Sequence, residues 1–143
     1  QAGPAGGRRA GPVLSGASGK TMSLNYLDFD YSEDESGIGT FDAMASTAAP
    51  HVAAVRAELA LVLDWAYATF PDMRAPLDEG GEWDYNLEGQ QEWTAHEAIT
   101  YDEVSGKFSS QLSPAGAPRH TVTLSISGSA QFCDAFRRRF GLA

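Results

Sequence analysis

In the segment RHTVTLSIS (residues 119–127), polar and apolar side chains alternate strictly from Thr121 to Ser127. Val122, Leu124 and Ile126 form the apolar set, and serine and threonine lie between them. Because successive side chains of a strand point to opposite faces, this period of two predicts a strand with one buried face and one polar face. Strands of that kind favour a mostly antiparallel sheet that is covered on one side only.

Five other segments carry strand patterns. They cover residues 24–31, 40–46, 82–89, 92–102 and a short stretch that ends near Leu112. The alternation places Phe29, Phe41 and Trp83 on the inward face of the first three. In the fourth, Ile99 and Tyr101 share a face. The fifth has the shortest pattern, so the sheet is expected to contain five or six strands.

Two helices are predicted from apolar residues spaced three and four apart. The first covers about 48–69, and Pro71 ends it. The second covers about 130–140, with Ser129 as its N-terminal cap and Gly141 as its stop. The element order β-β-α-β-β-β-β-α then predicts an α+β fold. We expect a two-layer sandwich with both helices on one face of a mostly antiparallel sheet.

Residues 1–21 are rich in glycine, alanine, proline and serine and have no periodic apolar pattern. Such a segment is expected to be a disordered leader, a tag or another non-native extension. A single α+β domain is therefore predicted for 22–143. The leader ends in GASGKT, which resembles a phosphate-binding loop, but Leu14 stands where the first glycine of that motif is required. A nucleotide site is not predicted.

The charge of the chain is strongly segregated. Of the 143 residues, 19 are acidic and 10 are basic, giving a net charge of −9, and 18 of the acids fall within 22–103. An acidic body repels phosphate backbones, so nucleic-acid binding is not expected. No stretch approaches the roughly 20 apolar residues that span a bilayer. With a single cysteine, Cys133, the expectation is a cytoplasmic protein without a disulfide or membrane contact.

Four carboxylates define the candidate site. Asp28, Asp30, Asp42 and Asp84 all fall at outward positions of predicted strands. If those strands are neighbours, the carboxylates gather on the uncovered sheet face, where crowding attracts a cation or a basic partner. Three interpretations remain open: a solvated polar face, a surface that binds a protein partner, and a metal or catalytic site.

Known catalytic and metal-binding motifs do not fit the chain. In the best calcium-loop register, Glu35 stands where glycine is needed and Phe41 where glutamate is needed. The three histidines form no zinc-binding pair, and no serine lies in a nucleophile elbow. Cys133 follows the apolar Phe132 and is predicted to be a buried thiol. We therefore predict no catalytic residue, no metal ligand set and no cofactor.

Three blocks of the chain resemble a set of small uncharacterised bacterial proteins. They are LDFDYSEDESGIGTFDAMAS (27–46), EGGEWDYNLEGQQE (79–92) and LSISGSAQFCDAFRRRFG (124–141). The resemblance implies a domain that begins at Met22, and it implies no activity, cofactor or site.

The expected function is a non-enzymatic domain whose acidic sheet face binds a protein partner or forms a homo-oligomer. The alternative is a metal-dependent hydrolase or cation-binding protein that uses the four aspartates.

Overall fold

The computed structural model describes residues 21–142, and the predicted leader lies outside them except for Thr21. The fold is α+β, with six antiparallel strands in two sheets and two α-helices. The strands are β1 (Asp30–Glu33), β2 (Gly39–Ala48), β3 (Trp83–Glu92), β4 (Glu97–Asp102), β5 (Lys107–Leu112) and β6 (Arg119–Gly128), and the helices are α1 (Val52–Thr69) and α2 (Ala130–Phe140). The predicted class and element order are confirmed, and the six strands are divided between two sheets rather than joined in one.

The larger sheet has the strand order β1-β2-β6-β3. Strand β6 lies in its centre and pairs over ten residues with β2 on one side and with β3 on the other. Its inward residues Leu124 and Ile126 are fully buried, and Val122 is half-buried. Phe41 and Trp83 are buried on the same face. The alternation in the sequence therefore predicts the buried face of this sheet correctly.

Both helices pack against that face. Phe41 of β2 stacks on Phe136 of α2 with ring centroids 4.4 Å apart. Trp83 of β3 lies parallel to Phe132 of α2 at 5.7 Å, and its indole N–H donates to the carbonyl of Phe70 at 3.2 Å. Offset and edge contacts of this kind add to the free energy gained by burying the rings. The core that contains this aromatic cluster includes residues of both helices and of β2, β3 and β6.

The helix α2 begins and ends as its sequence predicts. The Ser129 hydroxyl accepts a hydrogen bond from the Phe132 amide at 3.2 Å, and it also bonds to the carboxylate of Glu82. Gly141 adopts a left-handed conformation with φ of 67°, which glycine enters without steric cost.

The predicted first strand is wrong in its extent. Only Asp30–Glu33 pairs with β2, whereas residues 24–29 run along the helices. The buried carboxylate of Glu58, in the middle of α1, accepts hydrogen bonds from the backbone amides of Asn25, Tyr26 and Leu27 at 2.6, 2.9 and 3.1 Å. One side chain thus satisfies three amides that a neighbouring strand would otherwise bond.

We expect Glu58→Gln to lower the free energy of unfolding by about 2 kcal/mol, because the charge-assisted hydrogen bonds are lost and an amide N–H₂ is turned toward backbone donors. Urea denaturation followed by circular dichroism measures the change. The exposed Glu35→Gln is the matched control, and equal stabilities of the two variants would show that Glu58 does not anchor this segment.

Candidate functional site

The second sheet is a two-stranded ribbon that leaves the main sheet. Glu92, the last residue of β3, faces Arg119, the first residue of β6, and the chain between them (93–118) contains β4 and β5. We call this segment the arm. Its strands pair from Glu97–Leu112 to Asp102–Lys107, and Gly106 with φ of 73° lies in the connecting turn. Every residue of β4 and β5 is exposed, so the arm projects into solvent.

The two faces of the arm differ in character. On one face, Thr100 and Ser109 are joined by a hydrogen bond of 2.6 Å between their hydroxyls. The opposite face carries four large apolar side chains, which we call the arm patch. They are Ile99, Tyr101, Phe108 and Leu112, with exposed fractions of 60, 58, 73 and 67%. The rings of Tyr101 and Phe108 contact each other at 4.9 Å, while their outer surfaces face water.

This exposure is concentrated in one region. Half of the large apolar side chains that are exposed in the described part of the chain lie within 93–112. An isolated two-stranded ribbon is at best marginally stable in water. Contiguous exposed apolar surface on a soluble domain marks an interaction site. Among the described residues, the arm patch is therefore a candidate interaction surface.

The structure brings together two of the four predicted site residues. Asp30 on β1 and Asp42 on β2 are directly opposed cross-strand partners. Asp84 lies on β3, two strands away from Asp42 and thus roughly 10 Å across the sheet. There it forms an ion pair of 2.8 Å with Arg74. Asp28 is exposed in the segment before β1, outside the sheet.

Two other features considered in the sequence are a metal site and the thiol of Cys133. Within residues 21–142, no three histidine, cysteine, aspartate or glutamate side chains form a group that could hold a metal ion. Cys133 is buried beside the Gly128 carbonyl, and desolvation raises the pKa of its thiol. A raised thiol pKa lowers the fraction of the nucleophilic thiolate, which fits the predicted structural role.

Two exposed carboxylates have lowered pKa values for local reasons. A hydrogen bond from the Ser36 side chain is the largest cause of the lowered pKa of Asp34. For Asp102, the amide of Val104 is the largest cause, followed by the hydroxyl of Ser105. Hydrogen bonds to the charged form stabilise it. Both carboxylates therefore organise turns, and the second turn closes the arm.

Sequence reasoning missed a cavity of about 530 Å³ on the helix side of the main sheet. We call it the groove. Its floor includes Ala45, Val122 and Gly89, which lie in one row because Val122 pairs with both of the others. Its wall is the first part of α1, with Val52 and Arg56, and Trp93 at the base of the arm also lines it. Small inward side chains in adjacent strands leave space that the helices do not fill.

A signal for the groove exists in the sequence. The inward positions of β3 run from Trp83 through Tyr85 and Leu87 to Gly89, so side-chain size falls along the strand. In the row that contains Gly89, the inward residue of β2 is Ala45, which is also small. The period of two identifies each inward position, but only the strand order shows that the small residues meet.

Comparisons of the chain with protein-family models, with curated proteins and with solved structures found no match. Neither helix within residues 21–142 combines the length and the apolar character needed to cross a bilayer. The arm, the acidic sheet face and the groove are the candidate functional surfaces of the described residues.

We expect Asp42→Asn to raise the free energy of unfolding by roughly 0.2 to 0.5 kcal/mol, because it removes a like-charge cross-strand pair on an exposed surface. Urea denaturation at low and high salt measures the gain, which should shrink as salt screens the repulsion. Asp28→Asn removes an unopposed charge and serves as the control. A gain of the same size in both variants would show that the Asp30–Asp42 pair is not repulsive.

Proposed function

We propose that this protein is a non-enzymatic interaction domain that associates with a second copy of itself through the arm patch. The observation that carries the proposal is the uncovered apolar face formed by Ile99, Tyr101, Phe108 and Leu112. Covering this face stabilises the arm and removes apolar surface from water.

Charge favours the arm patch over the acidic sheet face as the contact between copies. The chain carries a net charge of −9, and the open face of the main sheet includes the opposed pair Asp30 and Asp42. Two such faces repel each other. None of the four arm-patch side chains is charged, and the same face carries one carboxylate, Glu97, opposite Leu112 at the base of the arm. The arm patch can therefore meet its own copy with less repulsion than two acidic sheet faces. This supports a symmetric contact in which the same patch serves both partners.

The length of the arm further reduces the repulsion between the two acidic bodies. Six residues of extended strand span about 20 Å. The Debye length at physiological ionic strength is about 8 Å. Two arms that lie side by side in opposite directions bring their patches together and keep the bodies about one arm length apart, which exceeds the Debye length, so the charges of the bodies are largely screened.

The size of the patch indicates a weak and reversible complex. Its four partly exposed side chains present roughly 500 Å² of surface in each copy, so two patches bury about 1,000 Å² together. That total lies at the lower end of specific interfaces, where association is transient. The proposal is therefore a dimer whose population depends on protein concentration.

The two hypotheses that use the acidic face are less well supported. A basic protein partner at that face remains compatible with the Asp30–Asp42 pair. A metal-dependent hydrolase or cation-binding protein was expected to use Asp28, Asp30, Asp42 and Asp84, of which only two are adjacent. Melting in the presence of magnesium, manganese or calcium tests it, because a bound cation raises the Tm.

Phe108→Ser should weaken self-association at least tenfold, because the most exposed ring of the patch is removed from the contact. Analytical ultracentrifugation across a concentration series measures the dissociation constant. Met44→Ser is the matched control, since Met44 is 63% exposed and lies on the main sheet. A wild-type protein that stays monomeric up to about 1 mM, or equal dissociation constants for the two variants, would overturn the proposal.

Added salt should preserve or strengthen the association of the wild-type protein, because it screens the repulsion between acidic bodies while apolar burial is retained. Light scattering at low and at molar sodium chloride measures the effect. Dissociation at high salt would indicate instead a contact between oppositely charged surfaces.

A further inference from the structure

We infer that the groove is a binding site for a small organic anion with a flat apolar body. The inference is independent of the arm patch, because the groove lies between α1 and the main sheet within one chain. It rests on the size of the groove, on its lining and on the sign of its charge.

The size and the apolar lining suit a small molecule. Ligand pockets usually measure about 300–1,000 Å³, and the groove, at about 530 Å³, falls within that range. Val52, Val55 and Val122 provide apolar walls. Trp93, with 60% of its surface exposed, contributes an indole ring. A flat ring can stack on that indole while its edge contacts the valines.

The charge of the groove is opposite to that of the molecule. Arg56 and His120 lie in its lining, and among the described residues that line it there is no carboxylate. This is notable in a chain with 19 acidic residues. The ion pairs found within residues 21–142 are Arg74–Asp84 and Arg137–Asp134, so no described carboxylate neutralises Arg56. Its guanidinium is available for a bidentate contact with an anion.

The start of α1 adds to this positive potential. The helix has no acidic residue in its first turn and no side-chain hydrogen bond at its cap position, His51. A 3₁₀ helix, Ala49–His51, directly precedes α1 and also has no acidic residue in its first turn, so no carboxylate in these turns offsets the positive end of the helix dipole. Val52 and Val55, from the first turns, form part of the wall, so this end of the helix borders the groove. An anionic head group beside Arg56 would place its apolar body toward Trp93 and Val122.

The test compares two probes of the same shape, naphthalene-2-carboxylate and the neutral 2-naphthylmethanol. Titrations followed by amide chemical shifts should show saturable changes at Gly89, Val122 and Val55. A ligand of this size is expected to bind with a Kd of about 1 mM or tighter. The carboxylate should bind at least about tenfold more tightly than the alcohol, because only the carboxylate can pair with Arg56.

Arg56→Gln should weaken binding of the carboxylate about tenfold and leave binding of the alcohol unchanged. Arg138→Gln is the matched control, because Arg138 is exposed on α2 and does not line the groove. The inference is overturned if neither probe causes saturable shifts at the groove amides, or if acid and alcohol bind equally. It is also overturned if the two arginine variants behave alike, or if the shifts map to the arm patch instead.

Discussion

Backbone pairing along both edges of β6 is the constraint on which the rest of the structure depends. Ten residues of β6 lie opposite residues of β2 and the same ten lie opposite residues of β3, so the side chains of three strands are held in common rows. In the rows near Gly128, large inward side chains such as Trp83 and Ile126 meet the helices. In the rows near Arg119, the inward side chains are smaller or more polar, and the groove opens. One pairing pattern thus produces a packed core at one end and a cavity at the other.

The core is completed by interactions that no single element could provide. Trp83 stacks on Phe132 and donates its indole N–H to the chain just after α1, so one residue connects a strand to both helical regions. Elsewhere in the domain, the Glu58 carboxylate holds residues 25–27 against α1. Burying a carboxylate is unfavourable unless its oxygens are hydrogen-bonded, and the three amides meet that requirement. The domain therefore uses its one buried acid in the described region as a structural anchor.

Much of the fold follows from local patterns, and much of the candidate site does not. Alternation identifies the buried faces of β2, β3 and β6, and the capping residues mark α2, because these features depend on neighbours in the chain. The sequence does not show which strands are adjacent, so the distance between Asp42 and Asp84 could not be predicted. The anchoring role of Glu58 was missed for the same reason, since its partners lie more than 30 residues away. The sequence predicts that Ile99 and Tyr101 share a face. It does not show that this face is left uncovered, because that depends on where the main sheet ends.

The arm and the main sheet are not one continuous ribbon. Four residues separate β3 from β4, whereas six separate β5 from β6, so the two ladders are offset by two positions. The two linking segments are joined to each other by hydrogen bonds from the Ser113 amide to the His96 carbonyl at 2.9 Å and from the Gly116 amide to the Thr94 carbonyl at 3.1 Å. The register of β6 is set by its pairing with β2 and β3, so a change in the length of the arm leaves the packing of the hydrophobic core as it is.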